Sequence, residues 1–249
     1  MTAVCSDLLT LRVRGNATGG ETPSTGRAGR RGGPGGTTFG TVSLATDERA
    51  AICAEFERSG PDRPTLCEGW NARDLLTHLL VRERQPWNAA GILVPALSGV
   101  TEKAMESYAT EAWPNMIDDL RKGPPGWSPF KLGKVDEIAN GAEFFVHHED
   151  LRRGEPGWEP RPSEPERDGQ LWNLLSAQAK LLFRRSPVGV VLRRPEGAQQ
   201  VVCTGFGLVT VVGEPSELVL HAFGRDAARV EIEGLPADVE AYRAAPSGM

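Results

Sequence analysis

The spacing of hydrophobic positions changes character along this 249-residue chain. No period is visible before Val42-Ser43-Leu44. From Thr46, DERAAICAEFERSG places Ala51, Ile52 and Phe56 on one helical face, and Gly60-Pro61 stops it. Trp70-Asn71-Ala72-Arg73-Asp74 announces a second helix, with Asn71 as N-cap, Asp74 completing a capping box and Trp70 placed to staple onto Leu75. Its body, LLTHLLVRER, carries His78 in an apolar stripe. Further helical pieces are predicted near 92–110, from Trp113-Pro114 to Gly123, over 135–153 (VDEIANGAEFFVHHEDLRR) and over 169–185.

Beyond Pro187 the period falls to two. VGVVLRR, QQVVCT and GLVTVVG are short β-branched runs separated by Pro195-Glu196-Gly197 and Gly205-Phe206-Gly207, the pattern of an antiparallel meander. SELVLHAFGR returns to helical spacing, RVEIEG predicts a last strand and PADVEAYRAA a last helix. The expected fold is therefore mainly α, a helical bundle over 42–186 followed by a small α+β domain over 187–249.

Composition separates off the first 41 residues. They hold ten of the 29 glycines and five arginines against Asp7 and Glu21, a net +3, so the rest of the chain carries −8 of the total −5. Such a Gly/Arg-rich tail cannot offset its ordering entropy and is expected to be disordered. RNA binding or targeting is one reading of it, and an inert tail or a start placed too far upstream is the other. No run reaches the ~18 apolar residues of a membrane span, and no cleavable leader pattern is visible. Cysteines 5, 53, 67 and 203 are too scattered for a disulfide framework. A cytoplasmic protein without nucleic-acid or membrane partners is expected.

The candidate chemistry rests on histidines. Glu143 and His147 stand four residues apart, about 40° around a helix, so both project from one face. Such a pair can chelate a divalent cation, and a histidine from a facing helix would complete three ligands with one position open. Phe144, Phe145 and Val146 mark the helix as buried, and a buried carboxylate needs a partner. That partner is a metal in one reading and a histidine or arginine in the other. His148 points about 100° away from His147 and is expected to be peripheral. Asp150, about 20° from Glu143, is either an outer acceptor that orients a ligand histidine or the partner of Arg152 or Arg153 at the helix end. Asp74 is either an acceptor for His78 or the capping-box residue. Cys67 is expected to be partly exposed, and the acidic Glu68 beside it disfavours a nucleophilic thiolate. Cys53 and Cys203 sit in apolar patterns and read as core. No phosphate-binding loop, dinucleotide fingerprint or nucleophile elbow occurs.

The stretch Thr65-Leu66-Cys67-Glu68-Gly69-Trp70-Asn71-Ala72-Arg73-Asp74-Leu75-Leu76-Thr77-His78-Leu79 resembles the first motif of the DinB-like metal-binding superfamily, in particular its mycothiol-dependent maleylpyruvate isomerase branch. Glu143, His147, Asp150 and Leu151 match that branch's second motif, and Gly224-Arg225 resembles a feature of its second domain. The resemblance implies a DinB-like four-helix bundle with one divalent metal, zinc first, held by His78, Glu143 and His147 with water as the fourth ligand. It implies mycothiol as co-substrate, whose metal-bound thiolate attacks a small electrophile in an isomerase or S-transferase. Arg225 is then a contact for a substrate or thiol carboxylate, or a cation at a helix C-terminus. Nickel, manganese or iron would also accept this ligand set. Two alternatives stay open. One is a metal- or ligand-binding protein without turnover, and the other a structural metal closed by His148 or Asp150 as fourth donor.

Overall fold

The computed structural model describes residues 43–85, 103–128 and 133–245, with side chains in the last stretch from residue 140 onward. The Gly/Arg-rich tail and most of the predicted 92–110 helix lie outside those residues. Among the described residues the helices α1 (Leu44–Ser59), α2 (Ala72–Arg84), α3 (Trp113–Lys122), α4 (Gly133–Arg152) and α5 (Pro165–Leu182) come first. Strands β1 (Gly189–Arg193), β2 (Gln199–Cys203) and β3 (Leu208–Val212) follow, then α6 (Pro215–Ala222), β4 (Glu231–Gly234) and α7 (Pro236–Ala244). The chain is thus mainly α with a small sheet, as its periodicity predicts.

Start signals in the sequence are used as read. Asn71 accepts from the Asp74 amide and Asp74 from the Asn71 amide, both at 3.0 Å, which closes the capping box. Proline sits in the first turn of α3, α5, α6 and α7, where its missing N–H costs nothing. That placement starts α5 at Pro165, four residues before the predicted boundary.

The sheet corrects one expectation. Its order is β2-β1-β3-β4: β1 pairs antiparallel with β2 but parallel with β3, so the strands do not form a meander. The connection from β2 passes across the start of β1, where the Gly189 amide donates to the Gly207 carbonyl at 3.1 Å. A side chain at Gly205 would come within 2.9 Å of the Gly189 nitrogen and the Val188 carbonyl carbon. Gly207, at φ 82°, adopts the left-handed region that favours glycine. The glycines that punctuate the strands in the sequence therefore permit a crossing rather than a tight hairpin.

Two apolar clusters share α4. Ile52, Cys53 and Phe56 of α1, Leu75, Leu76, Leu79 and Leu80 of α2, Met116, Ile117 and Leu120 of α3, and Phe144 and Leu151 of α4 make the first. Phe145 and Val146 face the second, with Leu171, Leu175 and Leu182 of α5, the inner face of the sheet and Leu218 to Leu220 of α6. Every residue from Asn140 to Leu151 is buried. A helix walled in on all sides carries no amphipathic stripe, and its polar residues must find partners inside. After α4 the chain turns back at Gly154, where a Cβ would collide with the Pro64 carbonyl. Leu66 N–H donates to the Asp150 carbonyl at 3.0 Å beside it, docking the loop before α2 onto the end of α4. No helix among the described residues is long and apolar enough to cross a membrane.

Candidate metal centre

His78 on α2 faces Glu143 and His147 on α4. His78 Nε2 lies 3.0 Å from Glu143 Oε1, and His147 Nε2 lies 3.3 Å from the same oxygen. The side chains are buried, and one ligating atom of each lies within 4.8 Å of the other two. A tetrahedral ion with bonds of about 2.0–2.1 Å holds neighbouring donors about 3.3 Å apart, so these spacings suit donors around one ion. Two polar atoms point the same way. Glu143 Oε2 and His147 Nε2 are buried without a hydrogen-bond partner among the described residues. The 3.3 Å approach of His147 to Glu143 is therefore off the hydrogen-bond line. Leaving such groups unsatisfied costs about 1–3 kcal/mol each, and a divalent cation accepts both. The residues present fit the group.

The electrostatics sort the donors. Burial pushes the His78 imidazole below its ordinary value, against the opposing pull of Glu143, which favours the neutral ring. Burial alone would raise the Glu143 carboxyl. The Arg82 charge and the contacts with His147 and His78 outweigh it and hold the group well below the usual range. Burial would likewise lower His147, but Asp150 and Glu143 flank its two nitrogens and raise it to about 10.

Asp150 orients His147. Its Oδ2 accepts from Nδ1 at 2.9 Å, which leaves Nε2 toward Glu143 and His78. Arg225, in the turn after α6, donates from Nε to Oδ1 at 2.9 Å and from Nη2 to Oδ2 at 2.7 Å, while its Nη1 reaches the Phe223 carbonyl at 2.8 Å. Despite its burial, the Asp150 carboxyl is held far below its ordinary value by Arg225 and His147. Arg152 and Arg153, expected near Asp150, instead pair with Glu149, and Arg153 continues to Glu217 on α6.

Cys67 is buried rather than partly exposed, and its Sγ donates to Asp150 Oδ2 at 3.4 Å. Cys67, His147 and Asp150 also bring ligating atoms within 4.8 Å of one another. A guanidinium already occupies the cation's place on that carboxylate, so this second group is a hydrogen-bonded support. His148 turns toward α1, with Nδ1 2.9 Å from Glu48 Oε2, and Glu48 also pairs with Arg161 at 3.0 Å. Among the described residues neither His148 nor Asp150 joins the His78, Glu143, His147 group as a fourth donor. The Asp74 carboxylate serves the α2 cap, and Trp70 lies against His78, ring centroids 5.3 Å apart.

Sequence reasoning missed Arg82. In LLVRER it reads as part of a solvated helix end, yet it is 1% exposed, with Nε 3.5 Å from Glu143 Oε1. Its signal was its spacing: Arg82 follows His78 by one turn and so lies on the same face of α2.

Residues 42–127 match the family model described as "Mycothiol maleylpyruvate isomerase N-terminal domain". Among solved structures the chain is similar to "Crystal structure of the mycothiol-dependent maleylpyruvate isomerase", at 14% identity over 76% of this chain and 90% of that one, with a TM-score of 0.48. It is also similar to a histidine-to-alanine mutant of that enzyme, at 14% identity over the same shares and a TM-score of 0.51, a likeness that speaks for the fold. No curated protein matches the sequence significantly. The matched segment contains His78, and the second motif lies beyond it on α4. The family match covers residues 42–127 and the likeness to solved structures concerns the fold, so this part of the chain is similar to the mycothiol maleylpyruvate isomerase N-terminal domain.

Proposed function

We propose that the protein binds one divalent metal ion, zinc first, through His78, Glu143 and His147, and uses mycothiol against a small electrophile as an isomerase or S-transferase. The observation that carries this reading is the convergence of three buried donors, with Glu143 Oε2 without a hydrogen-bond partner among the described residues and His147 Nε2 off the hydrogen-bond line to Glu143 Oε1. When bound, a divalent ion supplies the charge that deprotonates a thiol at neutral pH. The chain's residues set the conditions. His78 offers a neutral imidazole, Asp150 keeps the His147 proton on Nδ1, and Arg225 serves the site by fixing Asp150 from the C-terminal domain. Cys67 is spent on Asp150, so the sulfur comes from the co-substrate.

X-ray absorption at the zinc edge, with and without mycothiol, tests the proposal. One sulfur neighbour at about 2.3 Å is expected on adding the thiol. A fully loaded zinc centre that stays free of sulfur would favour a metal-binding protein without thiol chemistry.

A further inference from the structure

Arg82 belongs to a buried polar string that the proposed chemistry leaves unused. Its guanidinium donates from Nη1 to Asn140 Oδ1, while Nε faces Glu143. Asn140, fully buried on α4, donates from Nδ2 to Glu83 Oε1 at 3.5 Å. Glu83 is forked by Arg49 of α1 at 2.7 and 2.5 Å. Arg49 in turn donates to the Leu120 carbonyl of α3 at 3.1 Å and lies over the Phe144 ring. The string crosses all four helices of the first cluster, so Arg82 is fixed in place. Burying an arginine is expensive, and an apolar side chain would fill the space at less cost. Its position against a ligand carboxylate offers a reason for retaining the charge.

We propose that Arg82 is a positioning residue of the metal centre: it fixes Glu143 and draws off part of its negative charge, giving up metal affinity to favour an anionic sulfur ligand. This rests on the metal reading above. A carboxylate shared between two cations binds each less tightly, and an adjacent opposite charge shifts a carboxylate's proton affinity by about 10- to 1000-fold. Solvent-like relaxation around the site puts the expected effect on the metal near the lower end.

Zinc affinity, measured by competition with a chromophoric chelator, separates this role from simple packing because the two predict opposite signs. Arg82→Gln is expected to bind zinc about tenfold more tightly than the wild type. In its cobalt-loaded form it is expected to take up 2-mercaptoethanol about tenfold less readily at pH 7, read from the sulfur-to-cobalt absorption band. Arg82→Lys keeps the charge and is expected to stay within about threefold of the wild type in both. Zinc binding by Arg82→Gln that is unchanged or weaker overturns the proposal. If Arg82→Gln does not fold, Arg82→Lys decides, and a change beyond about tenfold in either measurement overturns it. A wild-type protein that binds no zinc removes the metal reading itself, a result distinct from these.

Discussion

Replacing Asp150 by asparagine separates the stability of the site from its capacity to hold a metal. The aspartate carries two hydrogen bonds from Arg225, at 2.9 and 2.7 Å, one from His147 at 2.9 Å and a weaker one from Cys67 at 3.4 Å. Asparagine keeps the shape and removes the charge, leaving Arg225, 8% exposed, without its carboxylate. Stranding a buried charge costs about 3–5 kcal/mol. For a domain of this size each kcal/mol moves Tm by about 2–4 °C, so thermal unfolding of the metal-free protein followed by circular dichroism is expected to fall by about 6–20 °C. The amide is also a weaker acceptor for Nδ1–H, and loss of such an orienting partner weakens metal binding by about 10–100-fold. The double variant Asp150→Asn with Arg225→Met removes the stranded charge and is expected to recover most of the Tm. It is not expected to recover metal affinity, because His147 still lacks its carboxylate. A Tm loss under about 2 °C in the single variant would refute the reasoning on the buried pair. Recovery of metal affinity together with Tm in the double variant would refute the orienting role of Asp150.

Three further outcomes follow from the same geometry. In the metal-free protein His147 is raised to about 10, so near neutral pH a metal must displace its proton, and zinc affinity is expected to rise at least about tenfold from pH 6.5 to 7.5. The same shift stabilises the metal-free fold fully below the ordinary histidine value near 6.5 and ceases to do so as pH rises through about 10. Zinc titrations in which affinity is independent of pH would contradict it. Gly154→Ala drives a methyl group into the Pro64 carbonyl and is expected to cost about 1–3 kcal/mol in chemical denaturation; an unchanged midpoint would show that the two loops separate easily. Cys67→Ala loses one weak donor to Asp150 and is expected to keep zinc affinity within about threefold and thiol-dependent turnover intact, whereas lost turnover with zinc retained would make this thiol a participant.

The parts of the site legible in the sequence are those set by local spacing. Glu143 and His147 share a helix face by arithmetic, and Asn71 with Asp74 announces the start of α2, which fixes where His78 emerges. His148 turns away, as its 100° offset requires, and finds Glu48. Long-range pairing was not legible. The partner of Arg225 is Asp150, 75 residues earlier, and nothing local to Gly224-Arg225 names it. Arg82 and Glu83 look like solvated helix-end charges until α1, α3 and α4 close over them. The strand runs were visible, but their order depends on which neighbour the Gly205–Gly207 crossing delivers, a tertiary outcome that short alternating patterns do not encode.

Metal content bears most directly on the central claim. Protein reconstituted with excess zinc at neutral pH and then freed of loosely bound ions is expected to hold one zinc per chain. That zinc is expected to be lost in His78→Ala and in His147→Ala but kept in His148→Ala, whose side chain faces Glu48. Wild-type protein that retains no zinc, or alanine variants at 78 and 147 that retain it fully, would contradict the account.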